Sequence, residues 1–246
     1  MASVGVLHPG EMGAAVAAVA RGDVWWAPEG RSEATAARAR DAGLRPAPLP
    51  ELLGRCDVLI SICPPHAALD VAAACAGYRG VYCDANAISP DSMSRVAGLV
   101  AGDVVDGGIV GGPPRMPGTR FYLSGGAAGE IGALFAGTVL EPVVIGDEIG
   151  AASALKLCYA AWTKGSAALL LTVAEAAERL GLGEALRAEW ERSQPGLAEQ
   201  LASAARAADA KGWRWVAEMR EIESTLLAAG LPGGYHGAAA ETFEQR

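Results

Sequence analysis

The fold of this chain is decided by the stretch Val4-Gly5-Val6-Leu7-His8-Pro9-Gly10-Glu11-Met12-Gly13. Its apolar start is typical of a buried strand, and a glycine-containing turn then leads into an Ala-rich helical segment. Glycine in such a turn lets backbone N–H groups approach a pyrophosphate at the positive end of the helix. His8 stands at the first place of the dinucleotide fingerprint, where glycine is usual, and Gly10 and Gly13 fill the other two. An ordinary strand-to-helix turn is the alternative, but the position at the first strand favours coenzyme contacts from His8, Pro9, Gly10, Glu11, Met12 and Gly13.

The first 148 residues alternate short apolar runs with Ala-rich, mildly amphipathic stretches. This is the rhythm of successive strand–helix units around a parallel sheet. Runs such as 58–62 are apolar on both faces, as expected when helices cover both sides of a sheet. We therefore predict a doubly wound α/β Rossmann domain over residues 1–148, with strands at 3–7, 23–27, 58–62, 80–84, 104–109, 121–124 and 143–145.

Residues 149–246 carry no strand pattern and form a predicted all-α domain. The segment 149–182 lacks proline and is rich in Ala and Leu, which predicts one long interdomain helix of about 50 Å. Further helices are predicted at 183–192, 195–210 and 213–229, with Gly212 separating the last two. Because the long helix is apolar around most of its circumference, we expect a homodimer through the C-terminal helices.

Composition excludes several classes of protein. The chain has 246 residues, 51% of them hydrophobic and 20% charged, which indicates a folded globular protein. A net charge of −8 and a pI near 5.0 argue against nucleic acid and anionic membranes as partners. The uncharged apolar stretch 165–174 is too short to cross a bilayer. No Gly-x-Ser-x-Gly or Walker A motif points to a hydrolase, and three dispersed histidines give no metal site.

The cysteines and the first residues indicate a cytoplasmic protein. The five cysteines are odd in number and form no Cys-x-x-Cys pair, which is typical of reduced core thiols. The sequence begins with strand-like residues and lacks the basic flank and cleavage pattern of a signal peptide. We therefore expect cytoplasmic localisation.

The end of the second predicted strand bears on the choice of coenzyme. Arg31 followed by Ser32 at a helix start offers a guanidinium, a hydroxyl and free amides for the 2′-phosphate of NADP. Glu29 is the contrary signal, because a carboxylate there suits the ribose hydroxyl of NAD or repels a phosphate. We favour NADP, with NAD as the alternative.

The glycine turn and several later segments resemble the β-hydroxyacid dehydrogenase superfamily, which contains 3-hydroxyisobutyrate and 6-phosphogluconate dehydrogenases. The residues 8–13 are similar to its G-x-G-x-M-G turn except at the first place. The sequences around Trp162 and Trp213 resemble those of one branch of the superfamily. Proteins of that branch carry a C-terminal domain of unknown function that is assigned to phosphogluconate dehydrogenases. The other similar segments are Cys63-Pro64-Pro65, Asp84-Ala85-Asn86-Ala87-Ile88-Ser89-Pro90, Asp106-Gly107-Gly108-Ile109-Val110-Gly111-Gly112 and Gly150-Ala151-Ala152-Ser153-Ala154-Leu155-Lys156.

The resemblance implies roles for individual residues. Lys156 matches the catalytic lysine, whose pKa burial can lower toward about 7 to 8 so that it serves as a general acid or base. Cys63, Pro64 and Asn86 match residues beside the coenzyme. A small-molecule substrate would be bound by Asn86, Gly111, Gly112, Lys156 and Tyr159.

Departures from the family pattern concern the substrate. Val110, Ala87 and Ala160 stand where serine, threonine and asparagine are usual. We expect an NADP(H)-dependent oxidoreductase that transfers a hydride between nicotinamide and a small carbonyl or hydroxy compound. An imine reductase and a non-catalytic NADP-binding sensor or partner subunit remain the alternatives.

Overall fold

The computed structural model describes residues 2–246, in two compact units. The first unit ends at Lys156 and the second runs from Leu157 to Arg246. Within the described residues, all strands lie in the first unit and the second is helical. This confirms the predicted class, a Rossmann-like α/β domain followed by a helical region with a long helix. The predicted boundary at residue 148 lies in the loop before that helix.

The first unit is built on one sheet of eight strands. The strands are β1 Ser3–Val6, β2 Asp23–Trp26, β3 Arg45–Pro46, β4 Val58–Ser61, β5 Val81–Asp84, β6 Val104–Val110, β7 Thr119–Ser124 and β8 Leu140–Gly146. Their order is β3-β2-β1-β4-β5-β6-β7-β8. Strands β1 to β6 are parallel, β7 is antiparallel to β6, and β8 is parallel to β7.

Six helices connect these strands: α1 Glu11–Val19, α2 Glu33–Asp41, α3 Leu49–Arg55, α4 Ala68–Ala74, α5 Pro90–Ala97 and α6 Ala128–Phe135. Ser32 and Ser89 cap α2 and α5 by accepting hydrogen bonds from the amides three residues on. Alternate residues of the strands enter two separate apolar clusters, with Ile60 in one and Leu59 in the other. Both faces of the sheet are therefore covered, as its apolar strands predicted.

The second unit packs helices around its own core. Its elements are the long helix α7 Ala151–Arg179, which starts in the first unit, then α8 Gly183–Ser193, α9 Leu197–Ala228 and α10 Gly234–Glu244. Met219, Ile222 and Phe243 are almost fully buried in this core, and the rings of Trp215 and Phe243 meet edge to face with centroids 5.1 Å apart.

Two predictions about the helices were wrong. The segments 195–210 and 213–229 form one helix, α9, because Gly212 is buried against α10 and leaves the chain in helical conformation. The helix α10 was missed because Gly233, Gly234 and Gly237 obscure its pattern. The two-residue strand β3 was missed as well, since so short a segment has no periodicity.

One helix in the described residues has the length and composition to cross a membrane. This is α7, with 29 residues and a mean hydropathy of 1.2 in its most apolar window. Core helices of soluble proteins meet the same criterion, so it is weak evidence.

Replacing Gly212 tests the continuity of α9. A Cβ at this position would lie 3.8 Å from the Phe243 ring, an ordinary contact. We expect Gly212→Ala to raise the free energy of unfolding by about 0.5–1 kcal/mol, since alanine favours a helix interior. Gly165→Ala in α7 is the matched control, because its Cβ would lie 3.0 Å from His236 Nε2 and the gain should be lost. Chemical denaturation measures both; destabilisation by Gly212→Ala would contradict a continuous α9.

Candidate functional site

The order of the strands reverses between β1 and β4. In open α/β sheets a ligand binds outside the carboxyl ends of the strands at such a reversal. The backbone amide of Leu7 donates to the carbonyl of Ile60 at 3.1 Å, so the two strands remain paired up to this point. The turn at residues 8–13 and the loop at Cys63 and Pro64 follow these strands directly. Both predicted coenzyme segments therefore emerge at the topological switch point.

The two glycines of the turn have different surroundings. A Cβ on Gly13 would lie 2.2 Å from the carbonyl oxygen of His8, so only glycine lets α1 approach the end of β1 this closely. A Cβ on Gly10 would meet no atom within 4 Å, so the space beside it is open. Gly10 is the N-cap of α1 and has no capping side chain. The start of α1 thus combines close packing behind the turn with free space in front of it, which suits a phosphate group.

His8 is partly buried in this turn. Its Nδ1 atom is shielded from solvent and has no hydrogen-bond partner among residues 2–246. Burial first, and the Arg31 guanidinium second, lower the pKa of His8 to about 4. The imidazole is therefore neutral at pH 7, and its orphaned nitrogen is the kind of atom that a bound ligand or water satisfies.

Arg31 and Ser32 lie together at the start of α2. The Ser32 hydroxyl accepts from the amide of Thr35 at 3.3 Å and is 3.1 Å from the Thr35 hydroxyl, so it acts as an N-cap. The Arg31 side chain is exposed and takes part in none of the ion pairs within residues 2–246. Its charge lies close enough to His8 to lower the pKa of that imidazole. The residue predicted to hold the 2′-phosphate thus acts electrostatically on the glycine turn.

A row of buried polar side chains crosses the sheet where β4 and β5 end. The strand register pairs Ser61 with Asp84, Asp84 with Asp106, and Asp106 with Ser124. We call these four residues the polar row; each is at most 1% exposed. Residues paired across neighbouring strands project from the same face of a sheet, so the row forms one buried polar strip.

Asn86 connects one half of the polar row to the candidate coenzyme loop. Its amide group donates to Asp84 at 2.8 Å and to Ser61 at 3.2 Å, and its carbonyl oxygen accepts from the Cys63 amide. Its backbone amide also donates to Asp84 at 3.0 Å. The residue is 2% exposed. These contacts hold the loop at Cys63 in place, while the predicted ligand contacts of Asn86 stay predictions.

Asp106 connects the other half of the row to the start of α7. Its carboxylate accepts from the Ser153 hydroxyl at 2.6 Å, the Ser153 amide at 2.9 Å and the Ser124 hydroxyl at 3.2 Å. The Ser124 oxygen in turn accepts from the Ala152 amide at 3.1 Å. The first turn of α7, which leads to Lys156, is therefore fixed to the sheet.

Asp84 has an unusual titration. The pKa of its carboxyl is raised to about 7, mainly by burial and in smaller part by the neighbouring Asp106. The hydrogen bonds from Asn86 and the charge of Lys156 lower it in part. Lys156 thus acts electrostatically on Asp84, and both groups belong to the first unit. Groups that titrate near neutrality cluster at functional sites.

The remaining predicted site residues lie further along the chain. Gly111 and Gly112 are exposed in the loop after β6, where Gly111 adopts φ +124° and the Gly112 carbonyl accepts from the Thr119 hydroxyl at 2.6 Å. Tyr159 is exposed on α7, within the second unit. Among residues 2–246 no group of three or more His, Cys, Asp or Glu side chains is placed to hold a metal.

Sequence reasoning missed three serines at this site: Ser61, Ser124 and Ser153. Ser61 ends the otherwise apolar strand β4, and this polar end was the available signal. Strand β7 carries other polar residues, so Ser124 did not stand out. Ser153 gave no comparable signal, because its partner Asp106 lies 47 residues away in the sequence.

Comparison with known proteins places the chain in a family. The model for a domain of unknown function, DUF1932, matches residues 177–245. A solved structure, the conserved protein MTH1747 of unknown function, is 31% identical, covers 99% of this chain and 96% of its own, and superposes with a TM-score of 0.77. That structure is described as similar to 3-hydroxyacid dehydrogenases. The chain belongs to the β-hydroxyacid dehydrogenase superfamily.

Two further solved structures share the fold at lower identity, and one relative matches part of the chain by sequence. The 3-hydroxyisobutyrate dehydrogenase of Salmonella typhimurium is 17% identical, covers 100% of this chain and 94% of its own, and has a TM-score of 0.73. A reductive aminase from Aspergillus terreus, solved with NADPH and ethyl levulinate, is 19% identical and has a TM-score of 0.60. The match covers 100% of this chain and 93% of the aminase. An uncharacterised protein of Methanothermus fervidus is 34% identical over 158 residues, 63% of this chain and 61% of that protein. This last match spans less than two thirds of the relative.

The raised pKa of Asp84 predicts a pH-dependent stability. A carboxyl whose pKa is higher in the folded than in the unfolded state stabilises the fold most below its ordinary value of about 3.9, and this contribution is lost as pH rises toward about 7. We expect the free energy of unfolding of the wild type, relative to Asp84→Asn, to fall by a few kcal/mol between about pH 4 and pH 8. Urea denaturation across this range measures the difference.

Asp103→Asn is the control for Asp84→Asn, since Asp103 is an exposed aspartate that immediately precedes β6 of the same sheet. Its difference from the wild type should not follow this trend. A constant difference for Asp84→Asn would mean that its carboxyl does not titrate in this range.

Proposed function

We propose that this protein is an NADP(H)-dependent oxidoreductase that transfers a hydride between nicotinamide and a small carbonyl or hydroxy compound, with Lys156 as general acid or base. The observation that carries the proposal is the glycine turn at the switch point between β1 and β4. Gly13 permits close packing of α1, and the space beside Gly10 is open. Backbone amides at the start of α1 suit a pyrophosphate there.

The residues of the site suit a dinucleotide. The turn at 8–13 and the loop at Cys63 and Pro64 would flank it, and the neutral imidazole of His8 supplies a buried nitrogen without a partner. Of Glu11 and Met12, the backbone amides rather than the side chains suit the phosphates, because the exposed Glu11 carboxylate would repel them. Arg31 and Ser32 would hold the 2′-phosphate of NADP, while the exposed Glu29 keeps NAD as the alternative.

The nicotinamide ring, when bound, supplies or accepts the hydride. The chain must orient the reacting carbon and move one proton. Lys156 would donate a proton to the carbonyl oxygen during reduction, or accept it from the hydroxyl during oxidation. The substrate would lie against the amides of Gly111 and Gly112. Val110, Ala87 and Ala160 offer no polar atoms in their side chains, so a less polar compound than the usual β-hydroxy acid fits this chain.

The protein is further proposed to act as a cytoplasmic homodimer through its C-terminal helices. Only 22% of the most apolar window of α7 is buried within the chain, and the side chain of Trp162 is 76% exposed. Single soluble chains rarely leave large apolar surfaces exposed, and a second copy would cover this one.

Replacing Arg31 tests the choice of coenzyme. We expect Arg31→Ala to weaken NADPH binding by about tenfold or more and to leave NADH binding unchanged, because a charge-assisted hydrogen bond is worth about 1.5–3 kcal/mol. Fluorescence titration with both coenzymes measures this. Arg40→Ala, in the last turn of α2, is the control. Equal loss with both coenzymes would exclude a 2′-phosphate contact, and a wild type that binds neither would overturn the proposal.

Replacing Lys156 tests the catalytic role. We expect Lys156→Ala to lower turnover by about 10²–10⁴-fold while the dissociation constant for NADPH changes little, as for loss of a general acid–base group. Turnover is measured with a panel of aldehydes, β-hydroxy acids and cyclic imines, from the change in absorbance at the reduced nicotinamide band. Lys211→Ala on the surface of α9 is the control. NADPH binding without wild-type turnover on any compound would favour a sensor, and unchanged turnover of Lys156→Ala would exclude its role.

A further inference from the structure

The face of β6 that lies under α7 carries two unusual residues. Asp106 and Gly108 alternate along the strand and therefore project to the same side. Both are buried, and Asp106 has no exposed surface. An isolated carboxylate at such a position is unfavourable unless donors surround it.

The donors around Asp106 come from the start of α7 and from the end of β7. The first amides of a helix have no partners within the helix. Here the amide of Ser153 binds Asp106 directly, and that of Ala152 binds it through Ser124. The Ser153 hydroxyl takes the second carboxylate oxygen. A distant strand thus supplies the cap of α7, and its negative charge lies at the positive end of the helix dipole.

Gly108 sets how closely α7 approaches the strand. A Cβ on Gly108 would lie 2.7 Å from the carbonyl oxygen of Ala152 and 3.2 Å from the Cβ of Lys156. The backbone of Ala152 and the Cβ of Lys156 therefore pack directly on β6. Asp106 fixes the helix about one turn earlier, at Ser153, so the two contacts together define the height and rotation of the turn that carries Lys156.

We propose that Asp106 and Gly108 are positioning residues for Lys156. The buried carboxylate of Asp106 caps α7, and the absence of a side chain at Gly108 lets the helix pack closely on β6. Together they hold the amine of Lys156 at one place. The inference rests on the proposed function of Lys156 as acid or base. Displacement of a reacting group by about 1 Å can lower a rate by 10²-fold. Neither residue needs to touch substrate or coenzyme for this effect.

The chain allows a direct measurement at Lys156, because its only lysines are Lys156, Lys164 and Lys211. Reductive methylation with ¹³C-formaldehyde places an NMR label on each, and Lys→Arg variants assign the signals. The rate at which each lysine is labelled reports how freely its amine meets solvent. This readout needs neither coenzyme nor substrate, so it separates failure of this inference from failure of the proposed function.

We expect Asp106→Asn to accelerate labelling of Lys156 by about threefold or more and to leave Lys164 and Lys211 unchanged. In the wild type, three donors bind the two carboxylate oxygens of Asp106. An asparagine side chain has a single acceptor oxygen, so some of these hydrogen bonds are lost. Ser153→Ala, which removes one donor and no charge, should act in the same direction and decides the matter if Asp106→Asn does not fold. In an active enzyme kcat should fall by about tenfold or more, with KM and NADPH affinity retained.

Gly108→Ala should also change the labelling of Lys156, because its Cβ would push α7 away from β6. Gly129→Ala is the matched control, since a Cβ there meets no atom within 4 Å. Unchanged labelling of Lys156 in the folded variants would overturn the inference. So would equal acceleration at all three lysines, which would mean that the residues only stabilise the fold.

Discussion

The burial of two carboxylates side by side is the constraint on which the site depends. Asp84 and Asp106 are paired across β5 and β6 and are almost inaccessible to solvent. Charges in such a place need donors, and the fold supplies them from the segments that form the candidate site. Asn86 brings in the loop at Cys63, and Ser153 brings in the start of α7. The hydrogen bonds that satisfy these two buried carboxylates thus position both the loop at Cys63 and the turn of α7 that leads to Lys156.

Much of the first unit could be predicted from the sequence, because its signals are local. Apolar runs such as 58–62 fall on observed strands, and the turn around Gly10 and Gly13 lies at the switch point. The second unit was harder. Glycine is ambiguous in a helix, and whether Gly212 ends one depends on its packing against Phe243, a contact between residues far apart in sequence.

The candidate site shows the same division. Spacing within one motif predicts the coenzyme contacts from His8 to Gly13, and these stay predictions. The resemblance to the superfamily supplied Lys156 and Asn86, but the side-chain partners of Asn86 come from two other segments of the chain. Ser124 lies outside every quoted motif, and Ser153 lies within the segment 150–156 without an assigned role; their partner Asp106 becomes visible only in the structure. Long-range pairing of polar groups in a sheet leaves little trace in a single sequence.

The reversed direction of β7 has a consequence for where α7 can begin. Strand β6 continues four residues past the level of Asp106, to Val110. A parallel seventh strand would finish at that far level, whereas the antiparallel β7 returns to Asp106 and ends there at Ser124. Strand β8 follows it and stops beside Ser124 at Gly146. This change in chain polarity delivers the polypeptide back to the carboxylate only a few residues before the long helix starts, so a single inverted strand determines where the lysine-bearing turn is anchored.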